Sequence, residues 1–261
     1  MQAAILPVSA GWSWVQQGYR LFRRQPVPLF FWSLVTSFLI TVSYIIPLFG
    51  QMALIAGTPV LTFISLSACK NVAAGRTMLL HMWLEPLRDR ETRKRLLVLG
   101  MAYLLTCLAG GFLATLPFLG DLMASINPDG ALDEAAIYSA MRGPLLTFGL
   151  MYLLISALFW HAPALIGWHN IRLGQALFFS MVACWRNKWA FLAYGITWAA
   201  IFIGVQFLGS ALTGIGMPAG VAQMLMTPVN IAVAAVLYCS FYPAYISIFG
   251  QPLTESDPQQ P

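Results

Sequence analysis

The chain has 261 residues, of which 59% are apolar and 9% charged, and its formal charge is +5. Soluble domains carry about 25% charged residues, so a surface this poor in charge cannot face water. That excludes a soluble enzyme, a nucleic-acid-binding domain and a disordered chain.

The first predicted element is a helix over residues 9–24, with Ser9 at the N-cap position. Trp12, Val15, Tyr19 and Phe22 recur at helical spacing and form one stripe. Gln16, Arg20 and Arg23 lie beside it, and Gln17 and Arg24 extend the polar side. The pattern predicts a helix half sunk in the membrane surface, with Trp12 and Phe22 in the acyl boundary and the arginines among lipid phosphates. No cation precedes Arg20, so the start of the chain does not read as a cleavable signal peptide. The first span is therefore expected to remain as an anchor. Pro26 and Pro28 turn the chain into the bilayer.

Six apolar stretches follow, at about 27–50, 52–69, 96–118, 144–168, 189–213 and 221–248, and none contains Asp, Glu, Lys or Arg. About 20 apolar residues cross ~30 Å of hydrocarbon as a helix. A helix also satisfies its own backbone polar groups, as lipid requires. Shorter apolar runs within 72–88 and 173–186 are bracketed by cations and predict two more interfacial helices. The expected fold is an all-α membrane protein with six transmembrane helices. They form three hairpins, each preceded by an interfacial helix on the cytoplasmic side. Residues 1–250 make one integral membrane domain, and 251–261 form a polar cytoplasmic tail.

With the N-terminus inside, Arg20, Arg23, Arg24, Lys70, Arg76, Arg88, Arg90, Arg93, Lys94, Arg95, Arg172, Arg186 and Lys188 all fall on the inner side. These are 13 of the 14 cations, and Arg142 alone falls outside. The positive-inside rule then places both termini in the cytoplasm. The run 88–95 reads as a solvated loop that sets this orientation. Its other reading is a docking face for anionic lipid or an acidic partner, at about 1 kcal/mol per cation. Cys69, Cys107, Cys184 and Cys239 have no paired spacing and read as free thiols packed as small hydrophobes.

The hairpins look like internal repeats. Thr58-Pro59-Val60-Leu61, Ala162-Pro163-Ala164-Leu165 and Tyr242-Pro243-Ala244-Tyr245 mark the returning helix of each. Pro59, Pro163 and Pro243 therefore predict a kink in every even span. Units of two spans are parallel repeats, whereas the inverted repeats of many transporters need an odd number of spans.

His161 is the ionisable residue within the predicted spans, and such groups point to function by default. Pro163 leaves the carbonyl of residue 159 without its helix donor, and the His161 imidazole is a candidate to bond inside that kink. A satisfied packing or interface histidine is the leading reading, with pH sensing or ligand binding behind it. Gln206 and Asn230 are expected in the outer halves of their helices, bonded across the last hairpin at about 0.6 kcal/mol. Gly110, Gly111, Ser210 and Gly214 would permit close helix contacts. Outside, Asn127-Pro128-Asp129-Gly130 reads as a turn followed by a short amphipathic helix. The acids around it, Asp121, Asp129, Asp133 and Glu134, do not follow a calcium-loop pattern. No phosphate loop, zinc motif or catalytic constellation is present, so no cofactor, metal or catalytic residue is expected.

Three stretches together resemble an uncharacterised family of proteobacterial multi-pass inner-membrane proteins. They are Gly11-Trp12-Ser13-Trp14 with Gly18-Tyr19-Arg20-Leu21-Phe22-Arg23-Arg24-Gln25-Pro26, then Leu96-Leu97-Val98-Leu99-Gly100, then Phe159-Trp160-His161-Ala162-Pro163-Ala164-Leu165 leading into Ser180 and Asn187. The resemblance covers nearly the whole chain and implies a bacterial inner membrane, with no assigned activity. The expected function is non-enzymatic. A basic cytoplasmic face of Trp12, Tyr19, Arg20, Phe22, Arg23, Arg24, Arg93, Lys94, Arg95 and Arg186 would engage anionic lipid head groups or a membrane or cytoplasmic partner. The alternative is a small-solute or lipid transporter gated by the proline-kinked even helices.

Overall fold

Lipid leaves a backbone no hydrogen-bond partner but itself, and the apolar runs accordingly wind into helices. The computed structural model describes residues 3–124 and 134–250, and among these there is no strand. The α-helices are α1 (Ala10–Arg24), α2 (Pro26–Ile45), α3 (Phe49–Ala73), α4 (Arg90–Thr115), α5 (Leu119–Ala124), α6 (Glu134–Phe159), α7 (Ala162–His169), α8 (Leu173–Arg186), α9 (Lys188–Gly214) and α10 (Ala219–Phe249). Six helical stretches are long and apolar enough to span a bilayer: α2, α3, α4 with α5, α6 with α7, α9 and α10. Spans 1 and 2, 3 and 4, and 5 and 6 form the three hairpins. The tail 251–261 and the turn and acids at 125–133 lie outside the described residues.

The expected interfacial helix over 72–88 is instead two 3₁₀ turns, Leu80–Trp83 and Glu85–Leu87. Gly75, at φ +78°, ends the chain's run out of α3, and Pro86 interrupts any later helix. Trp83 is buried and stacks on Trp32 with ring centroids 4.7 Å apart, so this connector is pinned to the bundle. The run 88–95 is not a loop. Asp89 caps α4, its carboxylate accepting from the Thr92 amide at 2.8 Å, and the charged residues from Arg90 onward form the first turns of that helix. Hydrogen bonds from the Thr92 side chain and amide hold the Asp89 carboxyl below the usual carboxylate range.

Helix α1 is where 9–24 predicts it, but a different face is buried. Gly11, Trp14, Val15, Gly18 and Leu21 face inward, while Trp12 and Tyr19 remain 53% and 51% exposed. The buried face lies roughly a third of the way around the helix from Trp12. It is set by glycine: a Cβ at Gly18 would come within 2.7 Å of Ser240 on α10, and one at Gly11 would overlap the Ala190 carbonyl on α9. Trp14 is fully buried and donates its indole N–H to Ser247 Oγ at 2.8 Å. Ser9 occupies the N-cap position but makes no side-chain cap bond; the Ala10 amide reaches Pro7 O at 3.0 Å instead. Ahead of α1, the buried Asn187 accepts from the Leu6 amide and donates to Ala4 O, each at 2.8 Å. The α8–α9 junction thus holds the start of the chain.

Packing is uneven along the spans. The buried core gathers where α3 ends, α4 and α9 begin and α10 ends, around Phe63, Leu66, Leu96, Leu99, Tyr194, Cys239 and Tyr245. Toward the other end α2, α6 and α9 expose Phe38, Leu146 and Phe207, as lipid-facing residues do.

Candidate functional site

The cations collect at the tightly packed end, where several join helix termini. Arg24 donates to Ala73 O at 3.3 Å, meeting one of the carbonyls that end α3. Gln25 donates to Arg76 O at 2.6 Å and accepts from the Met78 amide at 2.8 Å. Arg95 donates to Asn170 O at 3.0 Å and Oδ1 at 2.6 Å. Asn170 ends α7 in the left-handed conformation, φ +57°, which its short polar side chain tolerates. Arg93 donates to Leu87 O at 3.3 Å, and Arg23 lies 5.9 Å from the Tyr19 ring centre. Arg20, Lys94 and Arg186 are exposed, and Phe22 is half-buried against the core. These contacts tie the ends of α1, α3, α4 and α7 into one basic surface.

Several grooves cut into that surface, one of them a 450 Å³ groove along α4 where Arg90, Arg93 and Lys94 stand over Leu97 and Met101. A 520 Å³ groove between α1, α3 and α10 is lined by Gln17, Arg20, Arg24, Tyr242 and Ser247, with Leu21 and Ile246 as apolar floor. A 340 Å³ groove where α4 meets α7 and α8 carries Lys94, Arg95, Arg172 and the single acid Glu91 over Val98, Ile166 and Leu173. Cations at the rim with apolar side chains beneath match the two halves of an anionic lipid.

At the fourth span the structure packs His161 into the core and leaves the helix break to another side chain. The helix stops at Phe159 and restarts at Ala162. Ser180 of α8 fills the gap, its hydroxyl accepting from the His161 amide at 3.0 Å and donating to Ala157 O at 2.8 Å. One hydroxyl thus replaces the helical bond from residue 161 to 157. The His161 imidazole bonds nothing in the break. It is buried among Phe191, Tyr245 and Phe249, and its Nε2 has no hydrogen-bond partner. Pro163 sits in the first turn of α7, whereas Pro59 and Pro243 lie inside unbroken α3 and α10. The structure therefore breaks one even span at its proline and runs the other two through.

Above the break is a 250 Å³ cavity lined by Thr58, Pro59, Tyr103, Tyr152, Trp160 and Pro163. The Tyr103 and Tyr152 hydroxyls hydrogen-bond across it at 2.9 Å. Gln206 and Asn230 are not bonded to each other. Asn230 donates to Met226 O of its own helix at 2.9 Å, and both residues line a 760 Å³ cleft between α2, α9 and α10. Gly110 does approach α6, with a Cβ 3.0 Å from Ile155, but Gly214 has nothing within 4 Å. Closer backbone approaches than this are made at Gly11, Gly18 and Gly100, the last against the Ala56 carbonyl. The seven-residue spacing of Gly11 and Gly18 was the available signal for the first two. The four cysteines are free, and burial pushes the Cys184 thiol up to about 12.

No protein-family model and no solved structure matches this chain. It is 34% identical over 265 aligned residues to a probable inner membrane protein of Burkholderia thailandensis, an alignment covering 96% of this chain and 94% of that one. With six candidate spans and near end-to-end similarity, the chain belongs to the family of that protein and is a multi-pass inner-membrane protein.

Proposed function

We propose that the protein is a non-enzymatic inner-membrane protein with both termini in the cytoplasm, which engages anionic lipid head groups through its basic end. The cation-rimmed, apolar-floored grooves carry this reading. The bias of 13 cations among 14 supports the orientation. Arg20 and Arg24 rim one groove, and at about 1 kcal/mol each their loss weakens anionic-lipid binding by about thirtyfold. Native mass spectrometry of the full chain with phosphatidylglycerol, against phosphatidylcholine, measures this. The double variant Arg20→Gln, Arg24→Gln should lower the preference, the groove of Lys94, Arg95 and Arg172 keeping the remainder, and an unchanged preference would remove the proposal.

The 250 Å³ cavity favours a second reading, a small-solute or lipid transporter working at the Pro59 and Pro163 level. Cysteines placed at Thr58 and Ser156 would then react with an impermeant maleimide from either side of the membrane. Reaction from one side alone would exclude it.

A further inference from the structure

One cleft lies away from the basic end, and its chemistry differs from that of the grooves there. Helix α10 packs against α2 on one side and α9 on the other, and the 760 Å³ cleft opens between them. No lining residue is charged. Gln206, Gln223 and Asn230 contribute amide side chains. Thr41, Ser210, Thr213 and Thr227 contribute hydroxyls, each donating to a carbonyl of its own helix at 2.8–3.1 Å. Those hydroxyls therefore present spare acceptor lone pairs, while the amides offer both donors and acceptors.

The amides lie deep in their helices. Eight residues separate Gln206 from Gly214, the end of α9, so it lies about 12 Å below that end. Asn230 is eleven residues into α10, about 16 Å below its start. A bilayer's interfacial layer is only roughly 6 Å thick on each side. Both amides thus sit at the level of hydrocarbon, where an unmet amide is costly. Apolar side chains share this depth: Leu34 is eleven residues from the end of α2, level with Asn230, while Phe38 and Met226 lie nearer the mouth. The lining is uncharged throughout and mixes amides and hydroxyls with apolar side chains along its depth.

We propose that the α2–α9–α10 cleft binds an amphiphile whose head is uncharged and rich in hydroxyl groups. Hydroxyls both donate and accept, which is what this lining needs, and a charged head would find no counter-charge there. The acyl part lies against Leu34, Phe38 and Ile231 and leaves sideways into the bilayer.

The test uses the full chain in a zwitterionic detergent, read by native mass spectrometry. Its probes are monoglucosyl diacylglycerol, plain diacylglycerol, phosphatidylglycerol and free glucose. The glucosyl lipid should bind at least tenfold more tightly than diacylglycerol or glucose. The double variant Gln206→Leu, Asn230→Leu should lose that preference. Gly209→Phe provides a second variant that keeps the amides: a Cβ at Gly209 meets only Met226, at 3.7 Å, so the ring enters the cleft and displaces the lipid. Both should leave phosphatidylglycerol retention and the unfolding temperature unchanged, which separates this site from the basic grooves. Equal binding of glucosyl lipid and diacylglycerol would overturn the proposal, as would equal affinity for free glucose. So would a preference that survives in both variants, or a dimer that Gln206→Leu dissociates, which would make the cleft an interface between copies.

Discussion

Ser180 shows how one side chain can hold a broken membrane helix. Its hydroxyl meets both the His161 amide and the Ala157 carbonyl, groups that would otherwise be left open by the break. Ser180→Ala strands them in a buried site at about 1–3 kcal/mol, visible as a lower unfolding temperature in detergent. An unchanged temperature would show that the break needs no bridge. A kink was legible from Pro163, because a missing N–H acts within one helical turn, but Pro59 and Pro243 carry the same signal in helices that run through. The bridge was not legible, because Ser180 lies 23 residues from Ala157 and nothing local in the sequence joins them. The cysteines were legible as inert, and the structure buries Cys69, Cys184 and Cys239. With its thiol pushed up to about 12, Cys184 stays protonated at pH 8 and should resist maleimide until the protein unfolds. Rapid labelling of Cys184 in the folded protein would contradict the packing of α8.

Helix α1 shows what periodicity alone can mislead about. Its existence and ends were readable, but the stripe of Trp12, Val15, Tyr19 and Phe22 competes with a second through Gly11, Trp14, Val15, Gly18 and Leu21. Glycine adds little hydropathy, so the second stripe stands out poorly even though it permits close backbone approach. The outcome is a helix clamped against α9 and α10, with Trp12 and Tyr19 left exposed. Trp14→Ala should therefore destabilise the fold by about 3–5 kcal/mol. Trp12→Ala should change stability by less than about 0.5 kcal/mol and act on membrane contact instead. Equal effects on thermal unfolding would return α1 to a peripheral role. The connector over 72–88 failed as a helix for a related reason: Gly75 and Pro86 break it, and Trp83 finds a partner in Trp32 across the fold.

At the scale of the whole molecule, run length and charge placement were the readable quantities. Six apolar stretches became six candidate spans because lipid permits little else. The cations gather where the hairpins pack most tightly, so one end combines a dense core with a basic rim, and the cleft opens toward the other. The cleft was hidden in the sequence because α2 and α10 are far apart in the chain and only their packing creates it. Both lipid proposals require the two ends of the molecule to face opposite sides of the membrane. Single cysteines at Thr77, in the basic connector, and Ile215, in the α9–α10 turn, measure this directly with an impermeant maleimide. In cells with a permeable outer and intact inner membrane, Ile215→Cys should label at once and Thr77→Cys only after the inner membrane is opened. Labelling of Thr77→Cys first, or of both together, would contradict the account.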